Sequence, residues 1–332
     1  MGSGAFGKAV LLRSNKTGDT VVAKEIATAN ISDKAASNLV NEVHILSRLS
    51  HPNIIGYRGS FHIDATLSIV MEFADSGSLA DAISAQTALG EQPFPSMAIA
   101  HWLRQMVSAL QQLHSHKVLH RDLKTANVFL CSGPSAASRN EQGFSAALCD
   151  VRLADFGISR SMSVDTDCAE TMCGTPYYMS PELVCGRPYG PQADVWALGV
   201  ILFELLSLKR PFTASNLAAL VFMISKSQFT PEALAALQAS HHPSWLLRLA
   251  SHDGVLERNP ENRMGLQQVW DAIPELSVAR DVQAMEPNNQ TSTEQRTECR
   301  AASKALSKAL SKTSSCKSDS EWSNCSAING SI

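Results

Sequence analysis

The chain opens with a glycine-rich run, GSGAFG at residues 2–7, whose spacing could bind phosphate groups. Gly2, Gly4 and Gly7 would let backbone N–H groups approach phosphate oxygens, because glycine has no side chain to block them. Dinucleotide-binding folds use the same spacing, with a strand before the glycines and a helix after them. Here only Met1 precedes the run and the strand-like KAVLLRS follows it. This order favours a β-hairpin folded over a nucleotide.

A hairpin of that kind predicts a lysine on the next strand, and VAKEI at residues 22–26 supplies Lys24. Glu42 falls in the apolar stripe, with Leu39 and Leu46, of the one helix predicted in this region. A carboxylate there is costly to bury without a cation, so a Lys24–Glu42 pair could direct the ammonium toward phosphate oxygens. On these residues alone, a position for Glu42 at the edge of the stripe explains the pattern equally well.

The run HRDLKTANVFL at residues 120–130 carries the decisive signal. It resembles the catalytic loop of the eukaryotic protein kinases, HRDLxxxN. The resemblance implies that Asp122 orients the attacking hydroxyl and accepts its proton, and that Lys124 places a cation near the moving phosphoryl group. It also implies that Asn127 binds Mg²⁺. Transfer of the γ-phosphoryl group of ATP needs these groups on one short loop, which accounts for their spacing.

Further kinase motifs follow in the order that the family shows. Asp155 of LADFGIS corresponds to the main Mg²⁺ ligand, with Mn²⁺ as an alternative metal. Glu182 of the SPE motif is expected to pair with Arg263. Asp194 is expected to anchor the backbone of the catalytic loop.

The resemblance also assigns residues around the adenine ring of ATP. Met71 would gate the pocket behind the ring, and Glu72 and Ala74 would offer hinge backbone groups to its edge. Ala23 above and Phe129 below would sandwich it.

The elements that must position these residues fall into two regions. The pattern of residues 5–77 predicts strands with one helix. From about residue 95 the spacing of apolar residues predicts helices. We expect an α+β, bilobal protein kinase-like fold, with a small β-rich N-lobe and a larger helical C-lobe. The predicted kinase domain spans 1–275, divided into N-lobe 1–71, hinge 72–78 and C-lobe 79–275. The Ser- and Thr-rich tail, 276–332, is expected to be disordered.

Composition limits the classes of partner and compartment. The chain has 332 residues and a formal net charge of −3, which gives no general attraction to nucleic acid or membranes. Eight cysteines without metal-type spacing, and no signal peptide, indicate a reducing compartment. The longest apolar run, 195–208, is too short to span a bilayer and contains Glu204, so it predicts a buried helix. We expect a cytoplasmic protein with neither nucleic-acid nor membrane partners.

GTPYYMSPEL at residues 174–183 and KTANVFL resemble the NIMA-related serine/threonine kinases. The resemblance implies protein substrates with Ser or Thr acceptors, and activation by another kinase or by autophosphorylation in trans. It adds the nucleus, centrosome, basal body and cilium as locations. Thr171 would be the regulatory phosphosite, where a phosphate of about −1.5 to −2 charges could pair with Arg121. Thr175 would contact Asp122 and Lys124.

Two alternatives stay open: an ATP-binding scaffold of the pseudokinase type, and a serine/threonine kinase of another group. Such scaffolds typically lose one of three residues that this chain keeps, Lys24, Asp122 and Asp155. Two departures from the family stand out. Residues 132–146 form an extra polar segment, and most of the first strand is missing before Gly2, which suggests a truncated start.

We predict that Thr171→Ala lowers phosphoryl-transfer activity and leaves the fold intact, because the loop would lose the phosphate that orders it. The activity of the purified variant measures this. Activity equal to that of the parent chain would contradict the assignment.

Overall fold

A computed structural model describes most of the chain and its secondary structure. The described residues are 8–15, 17–29, 33–90, 93–132, 149–155, 176–274 and 322–327. For 33–38, 41–42 and 322–327 it describes the backbone only.

The N-terminal part is an antiparallel sheet with one helix. Its elements are β1 (Lys8–Ser14), β2 (Thr20–Ala27), α1 (Asp33–Arg48), β3 (Tyr57–Ile63) and β4 (Thr66–Glu72). β2 lies between β4 and β1, with Ile69 opposite Lys24 on one side and Ala9 on the other. This central position buries Lys24 along with the apolar residues of the strand. A buried ammonium in a sheet requires a nearby anion.

The C-terminal part is mainly helical. A short antiparallel pair, β5 (Val128–Ser132) and β6 (Cys149–Leu153), lies against the helices. The helices are α2 (Leu79–Ala88), α3 (Ser96–Ser115), α4 (Pro181–Val184), α5 (Pro191–Ser207), α6 (Leu217–Lys226), α7 (Pro231–Ala239), α8 (Ser244–Leu249) and α9 (Leu266–Ala272). β4 ends at Glu72 and α2 begins at Leu79, so residues 73–78 link the two parts.

α5 is the central helix of the C-terminal part, and this confirms the buried helix predicted at 195–208. It is apolar around its whole circumference and is buried from Ala193 to Ser207, as expected for a helix surrounded by other elements. α3 packs beside it and also fixes β6, because Trp102 Nε1 donates to the Cys149 carbonyl oxygen at 3.0 Å. Among the described residues, no helix combines the length and apolar character needed to cross a membrane.

A strand from the tail completes the sheet, and this corrects one expectation. β7 (Trp322–Ala327) pairs antiparallel with β1, from Val10 opposite Ala327 to Ser14 opposite Trp322. The prediction of a disordered tail is therefore wrong for 322–327, and β1 has a ladder partner on each side. The physical reason is that a strand edge presents unpaired N–H and C=O groups that can template another strand, whatever its composition. Residues 275–321, 328–332 and most of the predicted extra segment lie outside the described residues.

We predict that proline at two positions of β7, Asn324→Pro with Ser326→Pro, speeds amide hydrogen exchange in β1. Proline removes ladder hydrogen bonds, each contributing about 1 kcal/mol, so exchange at residues 10–14 should rise roughly tenfold. Mass-spectrometric exchange measures this, with Ser315→Pro as the control outside the strand. Equal exchange in all three proteins would show that β7 does not protect β1.

Candidate active site

The backbone of the predicted catalytic loop is fixed by Asp194, which is fully buried in the first turn of α5. Its carboxylate accepts the backbone N–H of His120 at 2.9 Å and that of Arg121 at 3.1 Å. It also contacts His114 Nε2 at 2.8 Å and the Tyr189 hydroxyl at 2.7 Å. Burial by itself raises the pKa of Asp194, but the hydrogen bonds from His114, from Tyr189 and from the His120 backbone bring it below its usual range. The predicted anchoring role of Asp194 is confirmed.

Two residues of this region hold a left-handed backbone conformation that side chains disfavour. Arg121 has φ +64° and Asp155 has φ +56°. Such conformations cost about 1–3 kcal/mol and persist only where the surroundings impose them. For Arg121, the hydrogen bond to Asp194 supplies that constraint.

The predicted catalytic residues converge on one carboxylate. Lys124 Nζ lies 2.9 Å from Asp122 Oδ2, and Asn127 Nδ2 donates to the same oxygen at 3.0 Å. Asn127 Nδ2 also reaches the Asp122 carbonyl oxygen at 2.8 Å. The Asp122 side chain is 29 % exposed, so a substrate hydroxyl could approach it. These contacts bring together three groups that the sequence predicted to share one loop.

His120 of the same loop is fully buried. Burial lowers the pKa of its imidazole, against the opposing charges of Asp194 and Asp122. A neutral, enclosed imidazole favours a packing role over that of a general base.

Lys24 and Asp155 form a buried ion pair between the two parts of the chain. Lys24 Nζ lies 2.6 Å from Asp155 Oδ1, and the two side chains are 6 % and 9 % exposed. Asp155 is thus an anion partner of Lys24 that the sequence did not predict. The Lys24–Glu42 pair stays a prediction, because the Glu42 side chain lies outside the described part. Asp155 follows the end of β6 by two residues, and this brings its carboxylate to Lys24 on β2.

Two buried oxygens provide a test of metal binding. Asn127 Oδ1 and Asp155 Oδ2 have no hydrogen-bond partner among the described residues. The Ala154 N–H, from the residue before Asp155, donates to the Asn127 carbonyl oxygen at 3.0 Å, so the two oxygens lie on adjoining segments. Buried oxygens without a donor are costly, and a divalent cation would satisfy both. Mg²⁺ commonly takes one or two protein oxygens together with phosphates and water, so these residues fit it.

The residues predicted to surround adenine lie where the two parts meet. Met71 and Glu72 end β4, Ala74 follows in the link to α2, and Ala23 is buried in β2. Phe129 lies in β5 opposite Arg152 of β6. Their contacts with adenine stay predictions.

Several predicted residues lie outside the described part of the chain. They are Gly2, Gly4 and Gly7 of the glycine run, and Thr171 and Thr175 of the predicted activation loop. The glycine run leads directly into β1, which lies beside the strand that carries Lys24.

The predicted pair of Glu182 and Arg263 is confirmed as a two-point contact. Arg263 Nη1 and Nη2 reach the two Glu182 carboxylate oxygens at 2.9 Å each. Burial raises the pKa of Glu182, but the Arg263 guanidinium outweighs burial and holds it below its usual range. The pair fixes the segment just after the predicted activation loop.

Sequence reasoning missed a hydrogen-bonded chain from the catalytic loop into the core. The Tyr178 hydroxyl lies 2.8 Å from Thr125 Oγ1 and donates to Glu204 Oε1 at 2.8 Å. Arg210 Nε lies 3.3 Å from the same Glu204 oxygen, and its guanidinium covers the Tyr177 ring. Burial raises the pKa of both Tyr178 and Glu204. The sequence signal that could have revealed this chain is Glu204, because a carboxylate inside the apolar run of α5 needs polar partners.

A family model described as the protein kinase domain matches residues 1–272. The chain belongs to the protein kinase family. Two similar curated proteins are the probable serine/threonine-protein kinase nek3 of Dictyostelium discoideum and the serine/threonine-protein kinase Nek1 of Mus musculus. The first is 38 % identical over 272 residues, covering 82 % of this chain and 22 % of that protein. The second is 36 % identical over 271 residues, covering 82 % of this chain and 20 % of that protein.

A solved structure confirms the predicted bilobal α+β kinase fold. The crystal structure of Rad53 residues 1–466 in complex with AMP-PNP matches with a TM-score of 0.65 and 23 % identity, over 82 % of this chain and 62 % of that one. The chain spans about a fifth of the length of these two curated relatives.

We predict that Asp194→Ala lowers the free energy of unfolding by about 2–4 kcal/mol, because it leaves buried donors from the catalytic loop and His114 without an acceptor. Urea unfolding measures this. Asp271→Ala, at an exposed position of α9, is the control and should change stability by less than about 0.5 kcal/mol. A loss no larger than that of the control would contradict the anchoring role.

Proposed function

We propose that this chain is a protein serine/threonine kinase of the NIMA-related group. It would transfer the γ-phosphoryl group of Mg-ATP to Ser or Thr hydroxyls of protein substrates. The observation that carries the proposal is the convergence of Lys24, from the N-terminal sheet, with Asp155 beside the Asp122 and Asn127 pair. The similarity to Nek-named serine/threonine kinases supports the group assignment.

Asp122 is the group suited to activate the acceptor hydroxyl. Its partly exposed carboxylate would orient the hydroxyl and take its proton as the oxygen bonds to phosphorus and the bond to ADP breaks. Lys124, 2.9 Å from that carboxylate, would hold it in place and place positive charge beside the transferred group. Lys24 would hold ATP phosphates from the opposite side.

Asn127 and Asp155 would hold Mg²⁺ through the two buried oxygens that have no donor among the described residues. When bound, the metal would neutralise charge on the β- and γ-phosphate oxygens. Both ligands are held in position by protein contacts, Asn127 by Asp122 and Asp155 by Lys24. Mn²⁺ prefers the same oxygen ligands and is the alternative metal.

The remaining nucleotide contacts are proposed from the kinase resemblance. Adenine would lie between Ala23 and Phe129, with its edge on the backbone of the Glu72–Ala74 link and Met71 behind it. The backbone of Gly2, Gly4 and Gly7 would cover the phosphates.

Regulation would act on the segment between Asp155 and Glu182. Phosphorylation of Thr171, by another kinase or in trans by a second copy, would pair with Arg121 and order the segment. Thr175 would support Asp122 and Lys124. We propose protein substrates in the cytoplasm, with the nucleus, centrosome, basal body or cilium as further locations.

We predict that Asp122→Asn lowers phosphoryl transfer from Mg-ATP to a generic basic protein about 10²- to 10⁴-fold, because the hydroxyl loses its proton acceptor. Thermal stabilisation by Mg-ATP should persist in this variant. Radiolabelled phosphate transfer and thermal shift measure the two properties, and Asp253→Asn, at an exposed loop position, is the matched control.

Two results would contradict the proposal. Equal transfer by Asp122→Asn and the parent chain would exclude the assigned base. Binding of Mg-ATP without transfer by the parent chain would favour the scaffold alternative.

A further inference from the structure

An ion pair that the sequence did not predict joins the end of β4 to the strand that delivers Asp155. Glu72 Oε2 contacts Arg152 Nη1, and the two side chains are 26 % and 27 % exposed. Glu72 is the last residue of β4, at the start of the link between the lobes. Arg152 lies in β6, three residues before Asp155. The pair therefore connects the two parts of the kinase beside the proposed nucleotide site.

Backbone hydrogen bonds near this ion pair link the segment after α1 to β6. The Ile55 N–H donates to the Leu153 carbonyl oxygen at 2.9 Å, and the Leu153 N–H donates to that of Asn53 at 2.9 Å. Asn53 Nδ2 adds a bond of 3.0 Å to the Val151 carbonyl oxygen. The segment that follows α1 is thus bonded to β6 at Val151 and Leu153.

The same segment is bonded to β4. The Glu72 N–H donates to the Gly56 carbonyl oxygen at 2.8 Å, and the Gly56 N–H lies 3.4 Å from Glu72 Oε2. A Cβ at Gly56 would lie 3.1 Å from that carboxylate oxygen, so glycine leaves the room that the carboxylate occupies. Backbone and side-chain contacts together fix Glu72 relative to β6.

The ion pair is poorly suited to add stability by itself. Its side chains are partly exposed, and pairs of this kind contribute little because water competes for both charges. Arg152 Nε is also buried without a hydrogen-bond partner among the described residues, which is a cost that a purely stabilising contact would avoid.

We propose that Glu72 and Arg152 are positioning residues that hold Asp155 at a fixed distance from the hinge. This inference rests on the proposed kinase function. The adenine end of ATP would lie on the hinge backbone at Glu72, and its phosphates would lie at Asp155. Together with the backbone bonds, the ion pair thereby fixes the separation of the two surfaces that bind opposite ends of the nucleotide. A small misplacement there lowers the rate of transfer steeply.

The test is a double-mutant cycle on the full chain with Arg152→Gln, Glu72→Gln and the two combined. Glu72→Gln keeps the hinge backbone groups. Each single variant should lower kcat/KM for ATP about tenfold, and the double variant should lose no more than either one, because the pair acts as a unit. Melting temperatures should fall by only a few degrees, since the pair adds little stability. Exchanging the charges, Glu72→Arg with Arg152→Glu, should recover part of the activity.

Asp150→Asn is the matched control. Asp150 lies on the same strand two residues before Arg152, and it pairs with His101 of α3 at 3.0 Å, within the C-terminal part. Asp150→Asn therefore removes a carboxylate contact of β6 within the C-terminal part and leaves the contacts between the lobes in place. Its kcat/KM should equal that of the parent chain.

Hydrogen exchange separates this inference from the proposed function. Arg152→Gln should speed exchange at the amides of residues 153–155, whether or not the parent chain transfers phosphate, while Asp150→Asn should leave them unchanged. Additive losses in the cycle, equal losses in Asp150→Asn, or unchanged exchange at 153–155 would each overturn the positioning role.

Discussion

The contact between Lys24 and Asp155 is the constraint on which the site depends. An ammonium in the middle of a sheet and a carboxylate at the end of a strand are both too costly to bury alone. Each satisfies the other across the boundary between two lobes, 2.6 Å apart. Because the Ala154 N–H donates to the Asn127 carbonyl oxygen, this contact also brings Asn127 and Asp155 together toward Lys24 on β2. The same ion pair therefore positions the groups that would bind the nucleotide and joins the two lobes.

Much of the C-terminal half of the site could be predicted because its contacts follow short motifs. The grouping of Asp122, Lys124 and Asn127 lies within six residues, where chain geometry leaves few arrangements. The roles of Asp194 and of the Glu182–Arg263 pair were also expected, since the family motifs carry them. In each case the structure adds the distances and the burial that the motif implies.

The contacts that escaped prediction join residues far apart in the sequence. Glu72 and Arg152 lie on strands that also bear partly exposed positions. Charged residues are common at such positions, so the sequence gives no sign that these two form a pair. The contact between Lys24 and Asp155 joins residues 131 positions apart in the sequence, and no local pattern indicates it. The tail strand is a similar case. Its composition indicates disorder, but it forms a strand because the free edge of β1 offers backbone hydrogen bonds.

The most direct measurement is a crystal structure of the chain with a non-hydrolysable ATP analogue and Mn²⁺, examined for anomalous scattering. The account predicts a manganese peak coordinated by Asn127 Oδ1 and Asp155 Oδ2, with the phosphates of the analogue reaching Lys24. A manganese peak elsewhere, or an analogue bound away from these three side chains, would contradict it.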